Sequence, residues 1–319
     1  MSAILILRHL KVENANAIAG HTWGFPAISN FLGFVHALSR KTKPELGLTL
    51  NGCGVICHRS QVQAYQPGGW GDWVFALSRN PLTKESKTAA FVEEGRMHLD
   101  ISLVIPVEGR IVSGEDHAAE LQNKLAHIVQ TLRLAGGTIR DLARVELHSI
   151  PYDEEDQIKL TRKLMRSLLP GFALVSRAET LADHLDDLQR QNPQAEPLDA
   201  WLDFAALKYQ ATAPNESKAD NTPVEWKSVP KPANGWLVPI TIGYRAISEL
   251  YEPGTVARTR DIRTPFRFVE AVYSLGQWLS PHRITRWEDL LWHYQADPDS
   301  GWYLCANQWQ PEEEFEDCF

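Results

Sequence analysis

The sequence predicts an α+β fold: an antiparallel-sheet domain with an inserted hairpin over residues 1–150, then a largely helical second region over residues 151–319. Three observations predict it. Apolar residues alternate near residues 4–13 and 99–105, which is the period of a half-buried strand, and further strand candidates fall at residues 54–65 and 138–147. Two stripes of helical spacing fall between these runs, near residues 30–40 and 113–132. After Ile150 most of the apolar pattern turns helical.

The first run, Ile4 to Glu13, passes into alternation, with Leu10 and Val12 on one face and His9 and Lys11 on the other. A Gly-Pro loop follows at His21 to Pro26, and its Trp23 is the tryptophan least expected to serve only the core. Ser29 offers an N-cap for a helix from Asn30 to Arg40. Phe31, Phe34, Val35 and Leu38 form its buried stripe, while His36, Arg40 and Lys43 share another face. Strands are expected at Gly54 to Tyr65 and Trp73 to Ser78, separated by the turn Gln66-Pro67-Gly68-Gly69. Arg79 to Thr88 is polar, partly basic and rich in turn formers, so it reads as the tip of a projecting hairpin that spans about residues 79–98. From Leu99 the chain alternates again. Ser113 with Asp116 marks a helix start, Leu121, Leu125, Ile128, Val129 and Leu132 its stripe, and Gly136-Gly137 its stop. The order strand, helix, strands, helix, strand is that of the ferredoxin-like split unit, which RNA-recognition domains also use.

In the second region, Glu154 to Leu168 and Glu179 to Gln191 read as helices. Residues 211–234 are rich in Pro, Ser, Asn and charge and read as a mobile linker. Trp236 to Ile242 reads as a strand, and Phe266 to Leu279 and Thr285 to Tyr294 as helices.

Composition narrows the function classes. The opening apolar run Ile4 to Leu7 is stopped by Arg8, too short for a signal peptide or a membrane span. No membrane association is expected, and the expected compartment is the cytoplasm. Four cysteines without a second close pair or a histidine pair give no zinc pattern, and no metal or cofactor is expected. The net charge of −8 hides local blocks. Lys159 to Arg177 holds five basic residues and no acid, and Arg258 to Arg286 holds six arginines against Asp261 and Glu270. Acids gather instead at residues 179–187 and in the tail.

Catalytic patterns are missing from the sequence. There is no phosphate loop, no Gly-x-Ser-x-Gly elbow and no His-Glu-x-x-His site. A metal-free ribonuclease needs a general base beside a cation at the scissile phosphate. His36, His58 and His98 are the histidines that could serve as bases, and ordinary surface or structural roles are commoner for each. Arginines beside tight turns are the positive signal, because guanidinium binds phosphate through paired hydrogen bonds and also stacks on bases. Eleven tryptophans, with Trp226, Trp287, Trp292, Trp302 and Trp309 among those in the C-terminal third, supply stacking platforms, a seat for a partner, or core.

The ordered strings NANAI, TWGFP, GFVHAL, CHR, RNPL, EEGR, RLAGG, LLPGFALVSR, GWLVPI, RFVE and WLSPHR run from Asn14 to Arg283. Together they resemble the family of the second Csy protein, the Cas-five-like subunit of type I-F CRISPR surveillance complexes in the RAMP superfamily. The resemblance implies an RNA-recognition-like domain with a thumb-like hairpin and a largely helical second region. It implies a non-catalytic subunit that holds the 5′ handle of the CRISPR RNA and pairs with the large Csy subunit. It also implies contact with the adjacent backbone subunit, and target DNA nearby in the assembled complex. The candidate RNA-binding residues are His36, Arg40, His58, Arg59, Arg79, Arg96, Arg133, Arg177, Arg258, Arg263, Arg267 and Arg283. The rival reading is a metal-independent endoribonuclease acting on precursor CRISPR RNA, with His36 as base and Arg40 or Arg59 at the phosphate. A protein scaffold without RNA contact is a third.

Overall fold

The computed structural model describes residues 2–76, 82–89, 94–109, 115–212 and 224–311. The chain opens with β1 (Ser2–Asn16), the short β2 (Ile18–Ala19) and β3 (Thr22–Trp23), and helix α1 (Ile28–Leu46). Next come β4 (Leu48–Leu50), β5 (Gly54–Val62), β6 (Ala64–Tyr65), β7 (Val74–Phe75) and β8 (Arg96–Gly109). Helix α2 (Glu115–Gln130), β9 (Arg133–Leu134) and β10 (Gly137–Ser149) complete the first half. The second half holds α3 (Glu154–Ser167), β11 (Phe172–Ser176), α4 (Ala178–Gln191) and α5 (Pro197–Ala205). It continues with β12 (Tyr209–Thr212), β13 (Glu225–Ser228), β14 (Leu237–Ala246) and β15 (Val269–Leu279), and closes with β16 (Trp292–Asp297) and β17 (Trp302–Asn307).

Both halves share one sheet. Eleven strands run in the order β16-β17-β14-β15-β11-β5-β8-β1-β10-β9, with β4 beside β8. All these pairings are antiparallel. In the first half the spatial order β5-β8-β1-β10 puts the first and third long strands in the centre. Helix α1 follows the first long strand and α2 precedes the last.

Each face of the sheet buries its own cluster. Leu5, Leu7, Leu10, Leu99, Ile101 and Leu103 meet Phe31, Val35 and Leu38 of α1 and Leu125 and Val129 of α2. Full burial of each such side chain is worth about 1.5–3 kcal/mol. On the opposite face Ile4, Ile6, Ile56 and Val104 meet Leu164, Met165 and Leu168 from α3 and its end, together with Trp287 and Leu290. Both faces of β1 and β8 are therefore covered along half their length, which explains the continuous apolar run Ile4 to Leu7.

The structure changes several expectations. Helix α1 starts one residue before Ser29, on Ala27, and runs on to Leu46 with Pro44 in its last turn. The Ser29 hydroxyl lies 3.5 Å from Tyr244 Oη instead of capping. Of the strand expected at Trp73 to Ser78, the described residues form Val74–Phe75, which pairs with Ala64–Tyr65, and residues 77 and 78 lie outside the described residues. Ser113 lies outside the described residues. Gly136-Gly137 does not stop a helix. Residues Ala135 and Gly136 form a two-residue hairpin turn between β9 and β10, with φ of 48° and 76°. Gly137 packs so closely that a Cβ would stand 2.7 Å from the Glu13 carbonyl oxygen.

The second region is mixed rather than largely helical. Phe266 to Leu279 is mainly strand β15, held between β11 and β14. Thr285 to Tyr294 is a single 3-10 turn at Trp287–Leu290 leading into β16. A strand buried on both faces loses its period-two signature, so its apolar run resembles a helix stripe. The flanks of the expected linker pair as the ribbon β12–β13, and residues 213–223 between them lie outside the described residues. Of the expected hairpin tip, Arg79 lies outside the described residues. Leu82 to Ala89 includes a turn closed by Thr83 and Lys87.

Candidate functional site

Two β-bulges build the centre of the site. In β5, Cys57 pairs with Ile101 and Arg59 with Asp100, so His58 is the extra residue. In β1, Leu7 pairs with Leu103 and Leu10 with Ile101, leaving Arg8 and His9 opposite Ser102 alone. Ser102 is fully buried and its hydroxyl would be costly to leave unpaired. The backbone N–H of His9 donates to Ser102 Oγ at 3.1 Å, and His58 Nε2 lies 2.7 Å from the same oxygen. His58 Nδ1 lies 2.6 Å from the Pro170 carbonyl oxygen, which only accepts. Nδ1 therefore carries the proton, and Nε2 accepts from the serine hydroxyl. Burial pushes His58 below the usual histidine value, favouring that neutral form. The His9 and His58 rings pack 4.2 Å apart, and His9 Nδ1 reaches Asp100 at 2.8 Å.

Arg8 anchors the same bulge. Its guanidinium binds both Glu146 carboxylate oxygens and the carbonyl and hydroxyl of Ser167 at the end of α3. Burial raises the Glu146 pKa, but hydrogen bonds from Arg8 and His148 outweigh it and hold the carboxyl below its usual range. The second region is thus tied to the sheet through a charged network as well as an apolar core.

The β5 bulge has a second consequence. Strand β11 pairs with β5 only at Ile56 and Cys57, through Ala173 and Phe172. Beyond Cys57 that edge of β5 has no ladder among the described residues, and a cavity of about 420 Å³ opens there. Its walls come from Trp23 and Phe25, from Phe172, from Trp236 just ahead of β14, and from Trp278 of β15. The rings brace one another edge-on. Phe25 meets Trp278 at 5.0 Å and 85°, and Phe172 meets Trp236 at 4.9 Å and 75°. The lining includes His58 and Arg59 but no acidic residue. The Arg59 side chain is exposed and has no ion pair or hydrogen bond among the described residues.

Such a cavity admits a flat, apolar-faced group attached to an anion. Comparison with known proteins specifies the context. A model of the family described as CRISPR-associated protein (Cas_Csy2) matches residues 5–305. The chain is 44% identical over 311 residues to "CRISPR-associated protein Csy2" of Pseudomonas aeruginosa (strain UCBPP-PA14), covering 94% of each protein. The chain belongs to the Csy2 family of the type I-F CRISPR system.

In this Csy2-family chain the candidate residues divide by what holds them. Among the described residues, His36, Arg40, Arg59, Arg258 and Arg283 have no hydrogen-bonded or ionic side-chain partner and are exposed. Arg263 is exposed too, and only its backbone N–H bonds Asp261, at 2.9 Å. Others are engaged within the chain. Arg96 pairs with Glu94, and Arg133 Nη1 donates to the Gly136 carbonyl at 3.3 Å. Arg177 donates to Thr180 Oγ1 and Gln277 Oε1, and Arg267 donates to the Pro298 carbonyl. Burial lowers the Arg177 pKa, with the nearby Arg283 adding to it. His58 is fully committed to Pro170 and Ser102.

The fold brings His58 and Arg59 to the aromatic cavity, and Arg96 to a polar hollow floored by Asn14, Asn16 and Gly136. His36 lines a separate hollow with Glu108 and His293. The sequence reading missed the cavity's aromatic walls as a group. The signal was present, because Trp23, Phe172, Trp236 and Trp278 all fall inside the strings that carry the family resemblance. Among the described residues no group of three His, Cys, Asp or Glu side chains is arranged to hold a metal ion, and no helix is long and apolar enough to cross a membrane.

Proposed function

We propose that the chain is the non-catalytic subunit that binds the 5′ handle of the CRISPR RNA in a type I-F surveillance complex. In that complex it pairs with the large subunit, meets the adjacent backbone subunit, lies near target DNA and works in the cytoplasm. The observation that carries this reading is the set of unpaired cations. Arg59 stands free at the acid-free aromatic cavity, and Arg162, Lys163 and Arg166 stand free on the exposed side of α3, with no ionic partner among the described residues. Unpaired cations beside aromatic rings suit a single-stranded nucleic acid, with phosphates neutralised and bases stacked.

The strand order β5-β8-β1-β10 supports reading residues 1–150 as an RNA-recognition or ferredoxin-like unit. The exposed turn at residues 83–87, with Lys84 and Lys87, is consistent with a thumb reaching toward RNA. A binding role without cleavage is supported by the state of the histidines. His58 has both ring nitrogens occupied, so it has no free acceptor for a substrate proton. His36 and Arg40 share a helix face, but no hydrogen bond joins them.

Purified chain, alone and with its partner subunits, is incubated with labelled repeat RNA with and without divalent metal. Retention of uncut RNA is expected, weakening as salt rises. Site-specific cleavage that disappears in His36→Ala or His58→Ala would favour the endoribonuclease reading.

A further inference from the structure

We propose that the aromatic cavity beside the β5 bulge is a pocket for one unstacked base of the bound RNA, with Arg59 on the phosphate attached to that nucleotide. This rests on the RNA-binding reading above and adds the site and the moiety. Four features converge on it. The volume of about 420 Å³ lies within the range of small-ligand pockets. Trp23 and Trp236 are 51% and 55% exposed, although tryptophan normally gains by burial. The second feature includes orientation, because edge-on packing of Phe172 on Trp236 and of Phe25 on Trp278 fixes those rings before anything binds, so little ordering is left to the ligand.

The third feature is the indole donors. Trp201 and Trp292 each donate to a backbone carbonyl, of Ser274 and Leu174. The indole N–H groups of Trp23, Trp236 and Trp278 have no acceptor among the described residues. A nucleobase supplies acceptors at its edge as well as a face for stacking. The fourth is charge. The lining holds Arg59 and no acid, so the site attracts an anion. A buried aromatic side chain from a protein partner would fill the same volume but leave Arg59 unmatched, so an RNA base fits better.

The test uses the assembled complex loaded with guide RNA carrying 2-aminopurine at each handle position in turn. One position is expected to be quenched in the native complex and to recover fluorescence in Trp236→Ala. Trp236→Phe, which keeps a ring, should stay quenched. Loss of one stacked base should weaken RNA binding by about ten-fold or more. Arg59→Ala should lower the logarithmic salt slope by about 0.7, the value for one phosphate on a single strand. Trp23→Ala, on an exposed wall, gives a second truncation should Trp236→Ala fail to assemble. RNA retained with the same fluorescence at every position in native and variant complexes overturns the pocket and leaves the RNA-binding reading standing. Unchanged quenching with loss of large-subunit pairing also overturns it and makes the cavity a protein socket. A native complex that holds no RNA through this chain removes the broader reading itself.

Discussion

Ser102 is one hydroxyl on a buried strand, yet it decides where two histidines and an arginine stand. Its oxygen serves the bulge residues on both neighbouring strands, through the His9 backbone and the His58 ring. His58 in turn holds the carbonyl of Pro170, in the segment that leads into Phe172 and the cavity. Because the folded state keeps His58 neutral, its pKa lies below the value of 6.5 expected in the unfolded chain. The unfolded chain therefore takes up the proton first as the pH falls. The stability contributed is fully present above the unfolded value and is lost as pH falls through the folded one. Thermal unfolding between about pH 7.5 and about pH 5.5 should show falling stability, and His58→Gln should flatten the slope. His293, also lowered by burial, leaves a residual slope in that variant. The variant should also lose about 1–2 kcal/mol at neutral pH, since Ser102 or Pro170 is left without its partner. At this scale the sequence was least informative. Arg8 reads as the end of an apolar run, and only the bulge reveals that it bridges Glu146 and Ser167.

Elements were legible where one face is buried and one is wet. The stripe Phe31, Phe34, Val35 and Leu38 fixes α1, and Leu125, Ile128 and Val129 fix α2. The spacing was ambiguous in β15, where Leu275 is fully buried, Ser274 nearly so, and neighbours lie on both sides. Local chemistry misled in two places. Ser29 is a better cap than Ala27, but the helix begins where the 22–26 loop ends and Ala27 packs inside. Gly136-Gly137 has the composition of a helix stop, but it follows the short β9, and the turn type needs left-handed backbone at Ala135 and Gly136. Gly136→Ala tests that assignment cleanly, because a Cβ there meets no atom within 4 Å. The change should cost about 1–2 kcal/mol through backbone conformation alone, read as a lower denaturation midpoint with unchanged denaturant slope. No loss of stability would mean that the turn is not in that conformation.

Across the whole molecule, the sheet joins what the sequence divides. Strands from residues 172–307 extend the sheet of the first half, and α3 and the Trp287 turn cover the face that Ile4, Ile6 and Val104 leave apolar. The covered half is core, and beyond it Arg59 is exposed and lines the aromatic cavity. Family strings distant in sequence meet at that cavity, which no periodicity could reveal because the contacts depend on the crossover from β11 to β5. The proposed function requires that this surface carry guide RNA without cutting it. A photocrosslinking map of the assembled complex tests it most directly. Handle nucleotides are expected to crosslink to the peptides bearing Trp23, Arg59 and Trp236, on full-length RNA. Handle crosslinks confined to other subunits, or RNA cut at one site by this chain, would contradict it.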